Sequence, residues 1–203
     1  MKYRAHLDLA TSSLAHQMKL VARLKELGAT SADIGQGDVP WIVMADPEGN
    51  VLCVLEPRAI YQDTGRIAGV VVSCADPRTM ARFWKEAMDW TVHEVTDDLA
   101  RLGSAAGVGP YLEFIRVPDI TVWTRIHLDL RPYLRDDQAA EVARLRSLGA
   151  VDADVGKGAC RGWCSSTPRA TSSASSRRAD ASAWEGLRWQ SGCLQPGNDT
   201  SGC

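Results

Sequence analysis

The sequence predicts an α+β fold built from repeated strand–helix–strand units, and three observations support this class. Residues 4–37 recur at 125–158 with a constant offset of 121 and no gap, so HLDL, VARL and LGA fall in register. In each copy an alternating strand precedes an amphipathic helix. After the first copy, paired apolar runs flank turn residues. A repeated supersecondary unit fixes the architecture before single residues are interpreted.

The first strand of this unit has two different faces. In residues 4–10, Leu7 and Leu9 point one way, whereas His6 and Asp8 point the other way, because side chains alternate along a strand. We therefore expect one face to pack on a helix and the other to line a polar groove.

The segment after this strand predicts a helix, with Ser12 or Ser13 as N-cap and Gly28 as a left-handed C-cap. Its predicted apolar stripe consists of Leu14, Met18, Val21, Leu24 and Leu27. Two strand-forming runs, at 41–45 and 51–55, then flank a DPEGN turn and predict a hairpin.

A second unit of the same kind is predicted at residues 67–117, after a polar connector at 56–66. Its first strand, IAGVVVSC, is a continuous apolar run, which is typical of a strand buried on both faces. Asp76 is expected to cap the following helix, with Pro77 at its first position. The apolar stripe of that helix consists of Met80, Phe83, Trp84, Ala87 and Met88. Three strand-like segments continue to Val117.

Composition excludes several classes of partner. The net charge of -2 argues against nucleic acid and anionic membranes. No apolar run reaches the roughly 18 to 20 residues that span a bilayer, and no signal-peptide core follows Met1, so we expect a cytoplasmic location. Of the six cysteines, Cys53 and Cys74 lie in patterned sequence and four lie after residue 158. The spacing of Cys160 and Cys164 has no second pair, which makes it a weak zinc signal.

The last stretch of the chain, 159–203, differs in composition from the rest. It is rich in Ser, Ala and Arg and poor in aliphatic residues, which predicts a disordered tail. Residues 159–176 can be back-translated into DNA with GC-rich codons. When that DNA is read from its third base, in a shifted frame, it encodes VPWVVLVDPEGNEFCVL. The first copy has VPWIVMADPEGNVLCVL at 39–55. We infer a frameshift after Gly158, for which the loss of one base from a GAC codon suffices.

Several motifs resemble one protein family. The R-x-HLDL strand, a helix ending in LGA, and GQGDVPWIVMADPEGNVLCVLEPR resemble the glyoxalase-like branch of the vicinal oxygen chelate superfamily. The stretch GVVVSCADPRTMARFWKEAMDW resembles the opening half of such a domain. The resemblance covers residues 4–158. It implies paired βαβββ modules, an opening and a closing half, around a cupped mixed sheet with helices on its outer face.

The resemblance also implies a domain order. It divides the chain into a closing half-module at 1–58, a linker at 59–66, and a second domain at 67–158 with an opening module at 67–117 and an incomplete closing module at 125–158. This order is that of a tandem protein whose first opening half lies upstream of Met1. A single module of about 55 residues buries little surface and leaves a sheet edge open. We therefore expect residues 4–56 to pair with 67–117 as a permuted domain, or the chain to form a homodimer or aggregate.

In metal-dependent members, the resemblance places a divalent ion in the cup, held by first-strand and last-strand residues of both halves. It assigns His6 and His127 to the first strand of closing halves and Glu113 to the last strand of the opening half. Gly69 and Cys53 stand at the other two positions, so the usual His/Glu set is incomplete, although a thiolate binds zinc-like metals. The implied cofactor is a divalent Zn, Ni, Mn or Fe ion.

Other roles for these residues stay open. His6 shares a strand face with Asp8, and His127 shares one with Asp129. Each histidine therefore has three alternative roles: a hydrogen bond to its aspartate, a bond to a metal ion, or a contact with substrate. Glu113 is equally open to a role as a salt-bridged or groove-lining carboxylate. The residues expected to contact a small-molecule ligand are Asp8, Trp41, Cys53 and Asp129.

Three functions follow from the resemblance. One is a metal-dependent lyase, isomerase or dioxygenase. Another is a metal-free protein of the bleomycin-resistance type, which sequesters a drug or metabolite. The third is a truncated gene product without function. The sequence shows no nucleophile–base pair, phosphate loop or dinucleotide fingerprint.

The frameshift gives the first testable prediction. Sequencing the coding DNA across Gly158 and Ala159 should show that one added base restores VPWVVLVDPEGNEFCVL, because this reading continues the repeat in register. An opening half should also be encoded upstream of Met1. A DNA sequence in which no single-base change restores this segment would refute the frameshift.

Overall fold

A computed structural model describes residues 4–118, 126–131, 137–152 and 165–166. The three helices are α1 (Leu14–Glu26), α2 (Pro77–Met88) and α3 (Gln138–Ser147), with a short 3-10 helix at Ala59–Tyr61. The strands are β1 (Ala5–Leu9), β2 (Thr30–Ser31), β3 (Ile42–Ala45), β4 (Val51–Val54), β5 (Ile67–Cys74), β6 (Thr91–Val95), β7 (Leu99–Gly103), β8 (Tyr111–Arg116), β9 (Val151–Asp152) and β10 (Ser165–Ser166).

Eight strands form one mixed sheet in the order β2-β3-β4-β1-β5-β8-β7-β6. Its centre is the antiparallel pair β1 and β5, in which Ala5 lies opposite Val72 and Asp8 opposite Gly69. On either side, β1 runs parallel to β4 and β5 runs parallel to β8. The predicted α+β class is confirmed, and the two predicted units pair within one sheet, as in the permuted arrangement.

A short connector allows this order of the two units. Leu9 lies opposite Val54 in β4 and opposite Ile67 in β5, so the end of β4 and the start of β5 fall in one row across the sheet. Two strand spacings, about 10 Å, separate them. The connector at 55–66 covers this distance and includes the 3-10 helix, whose Tyr61 is buried. The prediction of a purely polar connector was therefore wrong at Tyr61.

Helix α1 starts and ends as predicted but buries a different face. Ser13 is its N-cap and accepts a hydrogen bond from the His16 amide at 3.1 Å. The buried residues are Gln17 and Val21, whereas Leu14 and Met18 are 64% and 61% exposed. The predicted stripe was wrong for Leu14, Met18 and, at 58% exposed, Leu27.

Gln17 explains this rotation of the helix. Its side-chain amide donates hydrogen bonds to the carbonyl oxygens of Pro40 at 3.2 Å and Val54 at 3.0 Å. A buried glutamine is tolerated because its donors are satisfied by backbone acceptors. The helix is thus joined to β4 by polar as well as apolar contacts.

Helix α2 follows the prediction closely. Asp76 caps it by accepting from the Thr79 amide at 3.1 Å, and Pro77 is its first residue. Its buried face packs on β6, β7 and β8. The buried side chains of this face are Met80, Ala81, Phe83, Trp84 and Ala87.

The second copy of the repeat packs beside α2. Arg144 of α3 donates to the carbonyl oxygens of Glu86 at 2.9 Å and Ala87 at 2.8 Å. The pairing of β9 with β10 reproduces that of β2 with β3 at the offset of 121. Apart from β10, the predicted tail at 159–203 lies outside the described residues.

Among the helices of the described part of the chain, none is both long enough and apolar enough to cross a bilayer.

The rotation of α1 can be tested with a pair of alanine substitutions. Val21→Ala should lower the free energy of unfolding by about 2 kcal/mol, because it removes buried methyl groups. Met18→Ala should change it by less than about 0.5 kcal/mol, since that side chain is exposed. Urea unfolding followed by circular dichroism measures both. An equal loss in the two variants would contradict the observed orientation.

Candidate functional site

The register of the central strands brings three potential metal ligands together. His6 and Asp8 project from the same face of β1, and Asp8 lies directly opposite Cys53 in β4. One donor atom from each of these residues lies within 4.8 Å of the others. We call the face of the sheet that carries them the site face.

Asp8 is the centre of this group. Its Oδ1 lies 3.4 Å from Nε2 of His6. Within the described residues, this oxygen is buried and accepts no hydrogen bond. A buried carboxylate oxygen without a hydrogen bond is costly, which favours a site that a further donor or a cation completes.

Cys53 is a buried thiol beside this carboxylate. It is 3% exposed, and burial together with the charge of Asp8 raises its pKa to about 12. The thiol is therefore protonated at neutral pH when no cation is present. A cation bound here would have to displace that proton, because the thiolate is the metal ligand.

Glu113, on β8, is held by other partners. Its Oε1 accepts hydrogen bonds from Nε of Arg101 at 2.7 Å and from the Tyr61 hydroxyl at 2.9 Å. Arg101 also contacts Glu94 at 2.6 Å. Glu113 thus forms a buried ion pair outside the group of His6, Asp8 and Cys53.

Glu113 packs over Gly69 on the site face. A Cβ atom at Gly69 would lie 3.7 Å from Cδ of Glu113 and 3.4 Å from the Tyr111 carbonyl oxygen. The carboxylate therefore lies over the glycine that pairs with Asp8 in β1. The second unit therefore contributes this acid beside the group, whereas the three donors of the group come from the first unit.

Aromatic and arginine side chains line the same face. The guanidinium of Arg58 lies 5.6 Å from the ring centre of Trp41 and 5.9 Å from that of Tyr61. Arg101 lies 5.9 Å from the ring centres of Tyr61 and Tyr111. Burial and the neighbouring charge of Glu113 raise the pKa of Tyr61 to about 12, so its hydroxyl remains a donor.

Sequence reasoning missed Tyr61, Arg58, Arg101 and Tyr111. The available signal for Tyr61 was the apolar triplet AIY within an otherwise polar connector. Arg101 alternates with the buried residues Ala100 and Leu102, which places it on the opposite face of β7.

The second copy keeps the histidine–aspartate contact but not its surroundings. Nε2 of His127 lies 3.3 Å from Oδ1 of Asp129, and these side chains are 37% and 58% exposed. Ile126, Leu128 and Leu130 alternate with them and pack against the core beside α2. The described residues do not bring His127 together with Glu113.

Comparison with known proteins places the chain in a family. A family model described as a glyoxalase-like domain matches residues 1–55 and 69–169. Among curated proteins, none matches the chain.

Solved structures share the fold. Glyoxalase I from Zea mays has 16% sequence identity and a TM-score of 0.54, with 92% of this chain and 66% of that one covered. A protein described as a putative dioxygenase from Bacillus subtilis has 13% identity and a TM-score of 0.52, with 92% and 60% covered. The chain thus spans less than two thirds of these proteins.

The raised pKa of Cys53 predicts a loss of stability at alkaline pH. The folded thiol stays protonated to about pH 12, whereas an unfolded cysteine ionises near 9.0. The protonated Cys53 thiol therefore does not reduce the free energy of unfolding below pH 9. As the pH rises from 9 toward 12, ionisation of the thiol in the unfolded state lowers the free energy of unfolding. Between pH 7 and pH 10, the free energy of unfolding of wild type should fall by roughly 1 kcal/mol more than that of Cys53→Ala. Urea unfolding at both values measures this difference, and equal losses would contradict the raised pKa.

Proposed function

Because the chain belongs to the glyoxalase-like domain family, we propose that its site face binds a small molecule together with a divalent cation of the zinc type. His6, Asp8 and Cys53 would hold the cation. The observation that supports this proposal is their clustering within 4.8 Å around a buried aspartate oxygen that accepts no hydrogen bond from the described residues.

The chemistry of the three donors fits such an ion. A nitrogen, an oxygen and a sulfur donor match zinc and its neighbours better than magnesium or calcium, which prefer oxygen. The carboxylate and a thiolate together balance a charge of +2. Three protein donors also leave room for a substrate atom, as in catalytic zinc sites.

A cation at this position would polarise an oxygen atom of a bound substrate as a Lewis acid. The remaining residues of the site face would position that substrate. Trp41, Tyr61 and Tyr111 offer aromatic surface, and Arg101 holds the Glu113 carboxylate in place by donating a hydrogen bond to it at 2.7 Å. The reaction types consistent with this arrangement are those of a lyase, an isomerase or a dioxygenase.

A second candidate is a metal-free binder that sequesters its ligand. The ion pair of Glu113 with Arg101 favours it, because the carboxylate at the last-strand position of the opening half is already engaged. Gly69 offers no donor at the matching first-strand position. On this alternative, the aromatic and polar side chains of the site face would bind the ligand by contact alone.

Cobalt(II) titration tests the metal proposal without any assay of activity. Wild type should bind one ion per chain and develop a thiolate-to-cobalt charge-transfer band, because Cys53 would be a ligand. Below the pKa of the thiol, affinity should rise about tenfold per pH unit, since one proton is released. Cys53→Ser should abolish the band, and His6→Ala should weaken binding by at least about tenfold.

His127→Ala is the matched control, because it removes the equivalent histidine of the second copy. It should leave both the band and the affinity unchanged. Absence of stoichiometric binding in wild type would refute the metal proposal, and quenching of tryptophan fluorescence by an apolar ligand would then support the sequestering alternative.

A further inference from the structure

A surface cleft lies between the start of α1 and the connector; it shares Arg58 and Tyr61 with the site face, but His6, Asp8 and Cys53 do not line it. It has a volume of about 330 Å³, at the lower end of the range of about 300–1,000 Å³ for small-molecule pockets. Its wall on one side comes from Thr11, Ser12 and His16, and on the other from the connector between Pro57 and Arg66.

The charged side chains of this wall are all cationic. Arg58 and Arg66 line the cleft, and no Asp or Glu does. Nε of Arg58 donates to Glu56 at 2.7 Å, so the charge of Arg58 is partly balanced from outside the wall. The Arg66 guanidinium makes no ion pair or hydrogen bond with the described residues. In a chain of net charge -2, this is a local positive site.

His16 adds a donor whose tautomer is determined by its neighbour. The backbone N–H of Ser12 donates to Nδ1 of His16 at 3.1 Å. Because Nδ1 accepts, the proton of the neutral ring lies on Nε2, which is then a donor. Gln62 and the Ser12 hydroxyl supply further donor groups in the same wall.

We propose that this cleft binds a small oxyanion, the carboxylate or phosphate group of a metabolite, through Arg66, Arg58 and His16. Guanidinium groups suit this role because their fork of N–H donors matches the oxygen pair of a carboxylate or phosphate. The Arg58 guanidinium is already oriented by Glu56 and by the rings of Trp41 and Tyr61, which lowers the entropy lost on binding. Arg66 supplies the unbalanced charge.

Isothermal titration of the whole chain with inorganic phosphate and, separately, with acetate tests the proposal. Protein and buffers passed over a chelating resin beforehand carry no divalent cation, which keeps the experiment independent of the cation site without adding a competing carboxylate. Phosphate should bind one per chain, and Arg66→Gln should weaken it by about tenfold, as expected for a charge-assisted hydrogen bond. His16→Gln should weaken phosphate binding less than Arg66→Gln does, because glutamine keeps an N–H donor, although on a side chain of different length.

Arg78→Gln is the control of equal charge change, because Arg78 lies on α2 with Asp97 as its partner. It should leave the affinity for phosphate unchanged. Binding of acetate as well would identify a general oxyanion site, and binding of phosphate alone would identify a phosphate site. No binding of either anion, or equal weakening by Arg66→Gln and Arg78→Gln, would overturn the proposal.

Discussion

The antiparallel pairing of β1 with β5 is the contact on which the rest of the structure depends. It joins two units that each bury too little surface alone, and it converts two open sheet edges into the centre of an eight-stranded sheet. The same pairing places Gly69 opposite Asp8 on one side, whereas the parallel pairing of β1 with β4 places Cys53 opposite Asp8 on the other side. The pairings of β1 on its two sides therefore both hold the sheet together and determine the surroundings of Asp8.

The two halves contribute unequally to the site. The first unit supplies His6, Asp8 and Cys53, whereas the second supplies Glu113 within an ion pair to Arg101. A buried carboxylate needs such a partner because desolvation otherwise penalises its charge. Tyr61, from the connector, completes the hydrogen bonds of Glu113. The connector is thus part of the site as well as the link between the units.

Local patterns in the sequence predicted most of the fold. Three such predictions depend on neighbouring residues and are confirmed: the shared face of His6 and Asp8, the caps Ser13 and Asp76, and the stripe of α2. The stripe of α1 was wrong because Gln17 is buried by hydrogen bonds to Pro40 and Val54, which are distant in sequence. The spacing of hydrophobic residues does not predict that a polar side chain is buried when its hydrogen-bond acceptors lie in another element.

The site was less predictable for the same physical reason. The alternation of β1 placed His6 and Asp8 on one face, but their contact with Cys53 depends on the register of β4. The pairing of Arg101 with Glu113 depends likewise on the register of β7 with β8, where these residues lie opposite each other. Such cross-strand partners are set by sheet register, which one sequence does not determine alone.

The position of the connector has a consequence for the order of the two units in the chain. Because it joins strand ends that lie in one row, the twelve residues 55–66 are enough to link the end of β4 to the start of β5. The unit at 4–54 therefore precedes the unit at 67–116 in the chain and still shares one sheet with it. The sheet is defined by which strands pair, and a short link is all that this order of the units requires.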